Sequence, residues 1–317
     1  METVIAYEQI RQILDRALPL DLIKYLEEAF ISYSNEDAIV PPVGTLQFQS
    51  PPGEVHIKYG YIKNESHYVV KIASGFYDNP SLGLPSGNGL NIVFSQETGM
   101  LDAILMDKGY LTDIRTALAG AVVAKHLQPI RVNTIGIVGT GIQARMQLEN
   151  LRNVVNCKNV IVYGRSREGL AKYKSDIDQK ELGFEIETTE DASYLAKHCN
   201  LIVTATTSKD AIIMADDIKP GTLIIAVGAD TEGKQELDIQ LVAQADLLVL
   251  DSTSQCISHG EIHKAYNKGL LENSIMMELG EILVKGIDRN QEAIIIADLT
   301  GIATQDMQIS KYILDHI

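Results

Sequence analysis

The sequence predicts an α/β chain in two parts, a doubly wound parallel sheet and a separate α+β domain. Three observations predict it. From Val132 onward β-branched runs alternate with helical patterns, the signature of a parallel sheet with helices on both faces. Between Pro41 and Met106 apolar and polar residues instead alternate along short runs bounded by turn residues, as in an antiparallel sheet. The chain also has 317 residues, more than one typical domain.

Taken in order, residues 1–35 read as two amphipathic helices broken at Pro19-Leu20-Asp21, with Asp21 the expected N-cap. Val40–Gly44 reads as a loop. Strands follow at Thr45–Gln49, Glu54–Tyr61, His67–Ala73, Gly89–Phe94 and Leu101–Met106, separated by turn signals such as Ser50-Pro51-Pro52-Gly53. Leu111–Leu127 is a long helix with a stripe of small residues (Ala117, Gly120, Ala121, Ala124), capped by Thr112 or Asp113, and it links the two domains. The parallel sheet then takes strands at Thr134–Val138, Val160–Tyr163, Phe184–Glu187, Leu201–Thr204, Leu223–Val227, Leu247–Leu250 and Ala293–Ala297. A helix from Ile302 to the end is expected to return to the first domain.

The stretch Val132–Ala144, VNTIGIVGTGIQA, organises the rest. A buried strand stops at Gly139-Thr140-Gly141 and a helix begins at Ile142-Gln143. Gly139 allows a tight turn, Gly141 lets a pyrophosphate approach the backbone, and Ala144 permits close helix–strand packing. The unpaired N–H groups at the helix start then face the phosphates. With strand before and helix after, this is a dinucleotide site.

Cofactor choice is read at the end of the second parallel strand, where an NAD-specific fold places a carboxylate against the ribose. Here Val160–Tyr163 runs into Gly164-Arg165-Ser166-Arg167 with no carboxylate. Two arginines and a hydroxyl suit a 2′-phosphate, so NADP(H) is favoured and NAD(H) is the alternative. In that alternative Arg165 stacks on adenine, or both arginines are solvated. Thr204, Ala205 and Thr206 follow the fourth strand and are suited to line the nicotinamide ribose. Val227 and Gly228 close the fifth strand, and Thr300 follows the last, completing the cofactor-facing set.

Composition narrows the partners. A net charge of −15 argues against nucleic acid and against an anionic membrane surface. No run of about 18 apolar residues is present to span a bilayer, and the N-terminus lacks the pattern of a signal peptide. Cys157, Cys199 and Cys256 show neither a CxxC nor a metal spacing, and no metal is expected. His259 and His263, four apart on an expected helix, lack a third ligand. A cytoplasmic protein is expected.

In so acidic a chain a cluster of cations marks an anion site. His56 and Lys58 alternate on one strand and share a face. Lys71 lies in an apolar strand, where a lone charge is expensive. Arg115 starts a helix otherwise lined with small residues. The simplest anion for this set is a carboxylate. Asp230, in Gly228-Ala229-Asp230 after the fifth strand, is placed to orient or deprotonate water, to pair with an amine, or simply to cap a turn.

The chain resembles the ornithine cyclodeaminase/μ-crystallin family over nearly its whole length. The matching stretches are Leu111–Ala117 (LTDIRTA), Gly139–Ala144, Gly228-Ala229-Asp230 with Glu236-Leu237-Asp238, and Thr300–Ala303 with Gln305-Asp306. The resemblance implies a doubly wound Rossmann domain, 118–301, plus an α+β substrate-binding and dimerisation domain, 1–117 with the C-terminal helix 302–317. It also implies a homodimer built through the first domain's sheet, and a substrate bound between the domains beside the nicotinamide. It assigns substrate-carboxylate binding to Lys71 and Arg115 and acid/base work to Asp230, with Lys71 a second catalytic candidate. Two positions depart from the cyclodeaminases, which carry an arginine where this chain has Gly44 and a glutamate where it has His56. A histidine with Lys58 suits a neutral or acidic group better than the side-chain amine of ornithine. Lys58 is the candidate to replace the missing charge.

The function expected is therefore an NAD(P)H-dependent oxidoreductase acting on a small α-imino or α-amino acid. The alternative is an NAD-dependent cyclodeaminase of the ornithine type that releases ammonia, and the third reading is a non-catalytic μ-crystallin-like binding protein.

Overall fold

The computed structural model describes residues 3–317. In chain order the elements are β1 (Thr3–Ala6), α1 (Tyr7–Arg16), α2 (Pro19–Ser34), β2 (Ala38–Ile39), β3 (Gly44–Gln49), β4 (Pro52–Ile62), β5 (His67–Gly75), β6 (Gly87–Ser95), β7 (Leu101–Met106) and α3 (Tyr110–Leu127). Then come β8 (Ile135–Val138), α4 (Ile142–Leu151), β9 (Asn159–Tyr163), α5 (Arg167–Asp178), β10 (Glu185–Thr189), α6 (Ala192–His198), β11 (Leu201–Thr204), β12 (Leu223–Ala226), α7 (Ile239–Gln244) and β13 (Leu247–Leu250). The chain closes with α8 (Thr253–His259), α9 (His263–Asn267), β14 (Met276–Glu278), α10 (Leu279–Lys285), β15 (Ile295–Asp298) and α11 (Ala303–Asp315). It divides into two compact units, one reaching to Arg115 and including Ile302–Ile317, the other Thr116–Gly301.

The first unit is a sheet in the order β1-β7-β6-β5-β4-β2, with β3 also paired to β4. All pairs are antiparallel except β1 with β7. One face is covered by α11, which packs on β4, β5, β6 and α2. Val69, Val93 and Ala103 are buried on that face in register with one another, and Leu105, buried beside them, lies opposite Asn91. Period-two alternation places Leu46, Phe48, Tyr59, Tyr61 and Met106 on the opposite face, where all five are exposed.

The second unit is a parallel sheet in the order β10-β9-β8-β11-β12-β15-β13-β14. Every residue of β8, β11, β12, β13 and β15 is buried, which is why these strands read as apolar runs, with polar Thr204 and Asp298 standing only at the carboxyl ends of β11 and β15. The doubly wound sheet and the separate α+β unit are the fold class that the sequence predicts.

Four local expectations are corrected. Thr3–Ala6 is a strand rather than part of a helix, held by parallel pairing to Leu101–Met106, a contact too distant in sequence to read locally. Asp21 is not an N-cap: α2 starts at Pro19, whose fixed φ and missing N–H suit a first helical position, and Asp21 sits in the first turn beside Lys24 at 3.3 Å. The start of α3 is capped from outside the helix, by Asp107 Oδ2 accepting the Leu111 N–H at 2.7 Å, instead of by Thr112 or Asp113. His259 and His263 lie on different helices, α8 and α9, so they do not share a helical face.

Candidate functional site

In the first unit antiparallel register sets Lys58 of β4 opposite Lys71 of β5, and Lys71 opposite Asn91 of β6, so all three side chains leave the face that α11 covers. His56 lies on the same face two residues before Lys58. The helix supplies the counter-charge. Asp306 Oδ1 lies 2.9 Å from Lys71 Nζ and 3.2 Å from Arg115 Nε, and the three side chains are almost wholly buried. Arg115 Nη1 also donates to Gln305 Oε1 at 3.2 Å, and Asn91 Nδ2 to Ser310 Oγ at 2.8 Å, fixing the helix over the strands.

Two cations therefore share one carboxylate in a dry site. Burial and the neighbouring Arg115 lower the Lys71 ammonium to about 7, against the pull of Asp306. The same two cations hold the Asp306 carboxyl below the usual carboxylate range, despite its burial. His56 is engaged more loosely, with Nε2 at 3.5 Å from Glu54 Oε2, while Glu54 accepts the Tyr77 hydroxyl at 2.6 Å.

In the second unit β8, β11, β12 and β15 lie side by side and parallel, so the loops after them meet at one edge of the sheet. Gly139 has φ +117°, and a Cβ there would come within 2.8 Å of the Ala205 carbonyl oxygen. Gly141 opens onto space, with nothing within 4 Å of where a Cβ would stand. Arg145 ties back the carbonyls of Thr140 and Gly141 and is itself held by Asp176 at 3.0 Å. Ile142 is exposed, Gln143 half-buried and Ala144 fully buried against the sheet. A tight turn, an open backbone approach and an accessible helix start fit a pyrophosphate.

At the end of β9 the three polar residues take separate roles. Ser166 caps α5, its Oγ accepting the Gly169 N–H at 3.2 Å, and Arg167 pairs with Glu190 at 3.0 Å. Arg165 stands exposed beside them. On the next loops Val227 N–H donates to the Thr204 carbonyl at 3.0 Å. Thr300 Oγ1 donates to Asp251 Oδ1 at 2.9 Å, and the Gly301 N–H to Oδ2 at 2.6 Å. Asp230 is a half-exposed loop carboxylate, 2.6 Å from Lys234 Nζ, and it caps no helix.

Asp306 and Glu236 are given no role by the sequence reading, although both stand in the matching stretches. Lys71 in an apolar strand is itself the signal that a buried counter-charge exists, but nothing local says where. Among the described residues no group of His, Cys, Asp and Glu has the arrangement of a metal site.

A doubly wound dinucleotide-type unit and an α+β unit carrying a buried cation cluster define the class. The chain belongs to the ornithine cyclodeaminase/mu-crystallin family, whose profile matches residues 3–317. An uncharacterised cyclodeaminase of Sinorhizobium fredii is 37% identical over 95% of this chain and 92% of its own length. Among solved structures, the Thermococcus litoralis Δ1-pyrroline-2-carboxylate reductase in complex with NADH and L-proline matches with TM-score 0.91 and 26% identity, over 99% of this chain and 97% of that one. An archaeal alanine dehydrogenase dimer with bound NAD matches with TM-score 0.89 and 29% identity, over 99% and 95%.

Proposed function

We propose that this protein is an NAD(P)H-dependent oxidoreductase acting on a small α-imino or α-amino acid. The observation that carries the reading is the buried Lys71–Asp306–Arg115 cluster with Lys58 beside it, an excess of positive charge suited to a substrate carboxylate. Arg115 and Lys58 hold the carboxylate. Lys71, brought near neutrality, both binds it and is poised to exchange a proton. A bound nicotinamide supplies the hydride for the C=N carbon, or accepts it in reverse. The imine nitrogen then needs one proton, and Asp230, directly or through a water it orients, delivers it. Cofactor-bound relatives fit this reading, as does the family's Δ1-pyrroline-2-carboxylate reductase.

The Gly139–Gln143 segment is proposed to hold the pyrophosphate, and Thr204–Thr206, Val227, Gly228 and Thr300 the nicotinamide half. Arg165 is the residue proposed for a 2′-phosphate, since Ser166 and Arg167 already have partners. The chain is further proposed to form a homodimer through the exposed apolar face that carries Leu46, Phe48, Tyr59 and Tyr61. An archaeal relative is a dimer. No described helix is long and apolar enough to cross a membrane, and three free cysteines suit a reducing compartment such as the cytoplasm.

The test is a panel of cyclic imines, and of 2-oxo acids with ammonia, followed at the reduced-nicotinamide band. Turnover with at least one substrate is expected. Ammonia release from a diamino acid without net cofactor change would establish instead the cyclodeaminase reading, which the Sinorhizobium relative favours. Binding without turnover would leave only a binding protein.

A further inference from the structure

The loops after β11 and β12 are joined through one buried carboxylate. Glu236 Oε1 accepts the Thr206 N–H at 2.7 Å, and Oε2 accepts the Gly228 N–H at 3.0 Å. The same two loops touch directly, since a Cβ on Gly228 would collide with both the Thr206 carbonyl and Glu236 Oε2. Ala205 in turn packs its carbonyl against Gly139 of the glycine-rich turn. Three loops at the carboxyl edge of the sheet are thus stacked in contact, with Glu236 behind two of them.

Glu236 is itself anchored. Its N–H donates to Glu261 Oε1 at 2.7 Å, and its carbonyl accepts the N–H groups of Ile212 and Ile213 at 2.7 and 3.1 Å. Glu261 also accepts from the Leu237 N–H and from Gln235 Nε2, each at 3.1 Å. A fully buried carboxylate on a backbone held from both sides is a rigid post. Burying it is expensive unless its oxygens are hydrogen-bonded, and both are hydrogen-bonded to loop amides.

We infer that Glu236 is a positioning residue that fixes the spacing of the Thr206 and Gly228 loops, and through them the seat of the nicotinamide half of the cofactor. This rests on the dinucleotide reading proposed above. A glutamine cannot replace it: the amide has one accepting oxygen, and its NH2 would face the second loop amide donor to donor. In doubly wound folds the pyrophosphate sits at the glycine-rich turn after the first strand, so the adenosine half should feel the loss of Glu236 less.

The experiment is to titrate NADH and ADP-ribose separately into the wild-type protein, Glu236→Gln and Val242→Ala, the last a buried α7 residue used to loosen the core without touching the loops. The dissociation constant for NADH is expected to rise about tenfold or more in Glu236→Gln, while that for ADP-ribose changes by less than about threefold. Val242→Ala should lower the melting temperature and leave both constants in place. Equal weakening of both ligands, or no weakening in folded Glu236→Gln, would overturn the positioning role. Failure of the wild-type protein to bind NADH and NADPH would instead overturn the dinucleotide reading. If Glu236→Gln does not fold, amide exchange in the wild-type protein decides. The Thr206 and Gly228 amides should exchange slowly and at a common rate, and a loop-like rate at either one would overturn the inference.

Discussion

Lys71 Nζ and Asp306 Oδ1 stand 2.9 Å apart and nearly solvent-free, brought together from a central strand and the last helix of the chain. Arg115 reaches the same oxygen. One carboxylate facing two basic groups leaves positive charge over for an anionic ligand.

Asp306→Asn removes the carboxylate that both cations share. Breaking a buried pair this way typically costs about 3–5 kcal/mol. The variant should melt well below the wild-type protein, and a 2-oxo acid should recover part of the loss by supplying the missing carboxylate. Thermal denaturation with and without the ligand checks this. A melting temperature unmoved by the substitution would show that the pair does not stabilise the fold.

Lys71→Met and Arg115→Met should raise the substrate KM steeply and leave cofactor affinity nearly unchanged. Lys58→Met should do the same more weakly if it replaces the charge absent at Gly44. Steady-state kinetics against substrate and cofactor separate the two effects, and wild-type kinetics in Lys58→Met would end that substitution idea.

With Lys71 lowered to about 7, mainly by burial and then by Arg115, its ammonium form is depleted above neutrality. A substrate carboxylate favours the charged form, so binding above pH 7 should take up a proton. Calorimetry in buffers of different ionisation enthalpy measures this directly. Proton uptake is expected near pH 8 and should disappear in Lys71→Met.

Asp298 in the second unit is pushed up to about 7 by burial, reinforced by Asp251. Its folded value lies above the ordinary carboxyl value of about 3.9. The stability it contributes is therefore fully present below about pH 4 and is lost as pH rises through about 7. Asp298→Asn mimics the protonated acid and should flatten this part of the fall in melting temperature between about pH 4 and 7.

The dinucleotide turn was legible because everything it needs lies within a few residues: an apolar run, Gly139, Gly141 and a helical pattern from Ile142. The alternating strands around Lys71 were legible for the same reason, and the period of two put His56 and Lys58 on one face, although the register that sets Lys58 opposite Lys71 was not. What sequence could not supply was long-range pairing. β1 is too short to declare itself without β7, and three-residue β14 is a strand only because it pairs with β13. Asp306 looks like an ordinary helical acid until α11 is laid over Lys71. Glu236, Glu261 and Asp298 are buried, and nothing in their immediate neighbours announces it. Arg167 looked available for a phosphate because Glu190, its partner, comes from another part of the fold.

Arg165→Ala should weaken NADPH more than NADH, by about 1.5–3 kcal/mol if the charged hydrogen bond to a 2′-phosphate is made. Parallel fluorescence titrations measure both constants. Equal losses would make Arg165 an adenine-stacking residue and remove the argument for NADP(H).

Asp230→Asn keeps size and much of the hydrogen bonding but removes the base, so kcat should fall by about 10²–10⁴-fold with cofactor binding retained. The pH–rate profile should lose one limb. A destabilised but fully active variant would return Asp230 to a purely structural role alongside Lys234.

A nitrogen and redox balance in one sealed reaction, with reduced cofactor and ammonia quantified together, separates imine reduction from cyclodeamination. An imino-acid reductase fed a 2-oxo acid, ammonia and NAD(P)H should consume ammonia and reduced cofactor in equal amounts while one amino acid accumulates. Ammonia released from a diamino acid with the cofactor pool unchanged would contradict it.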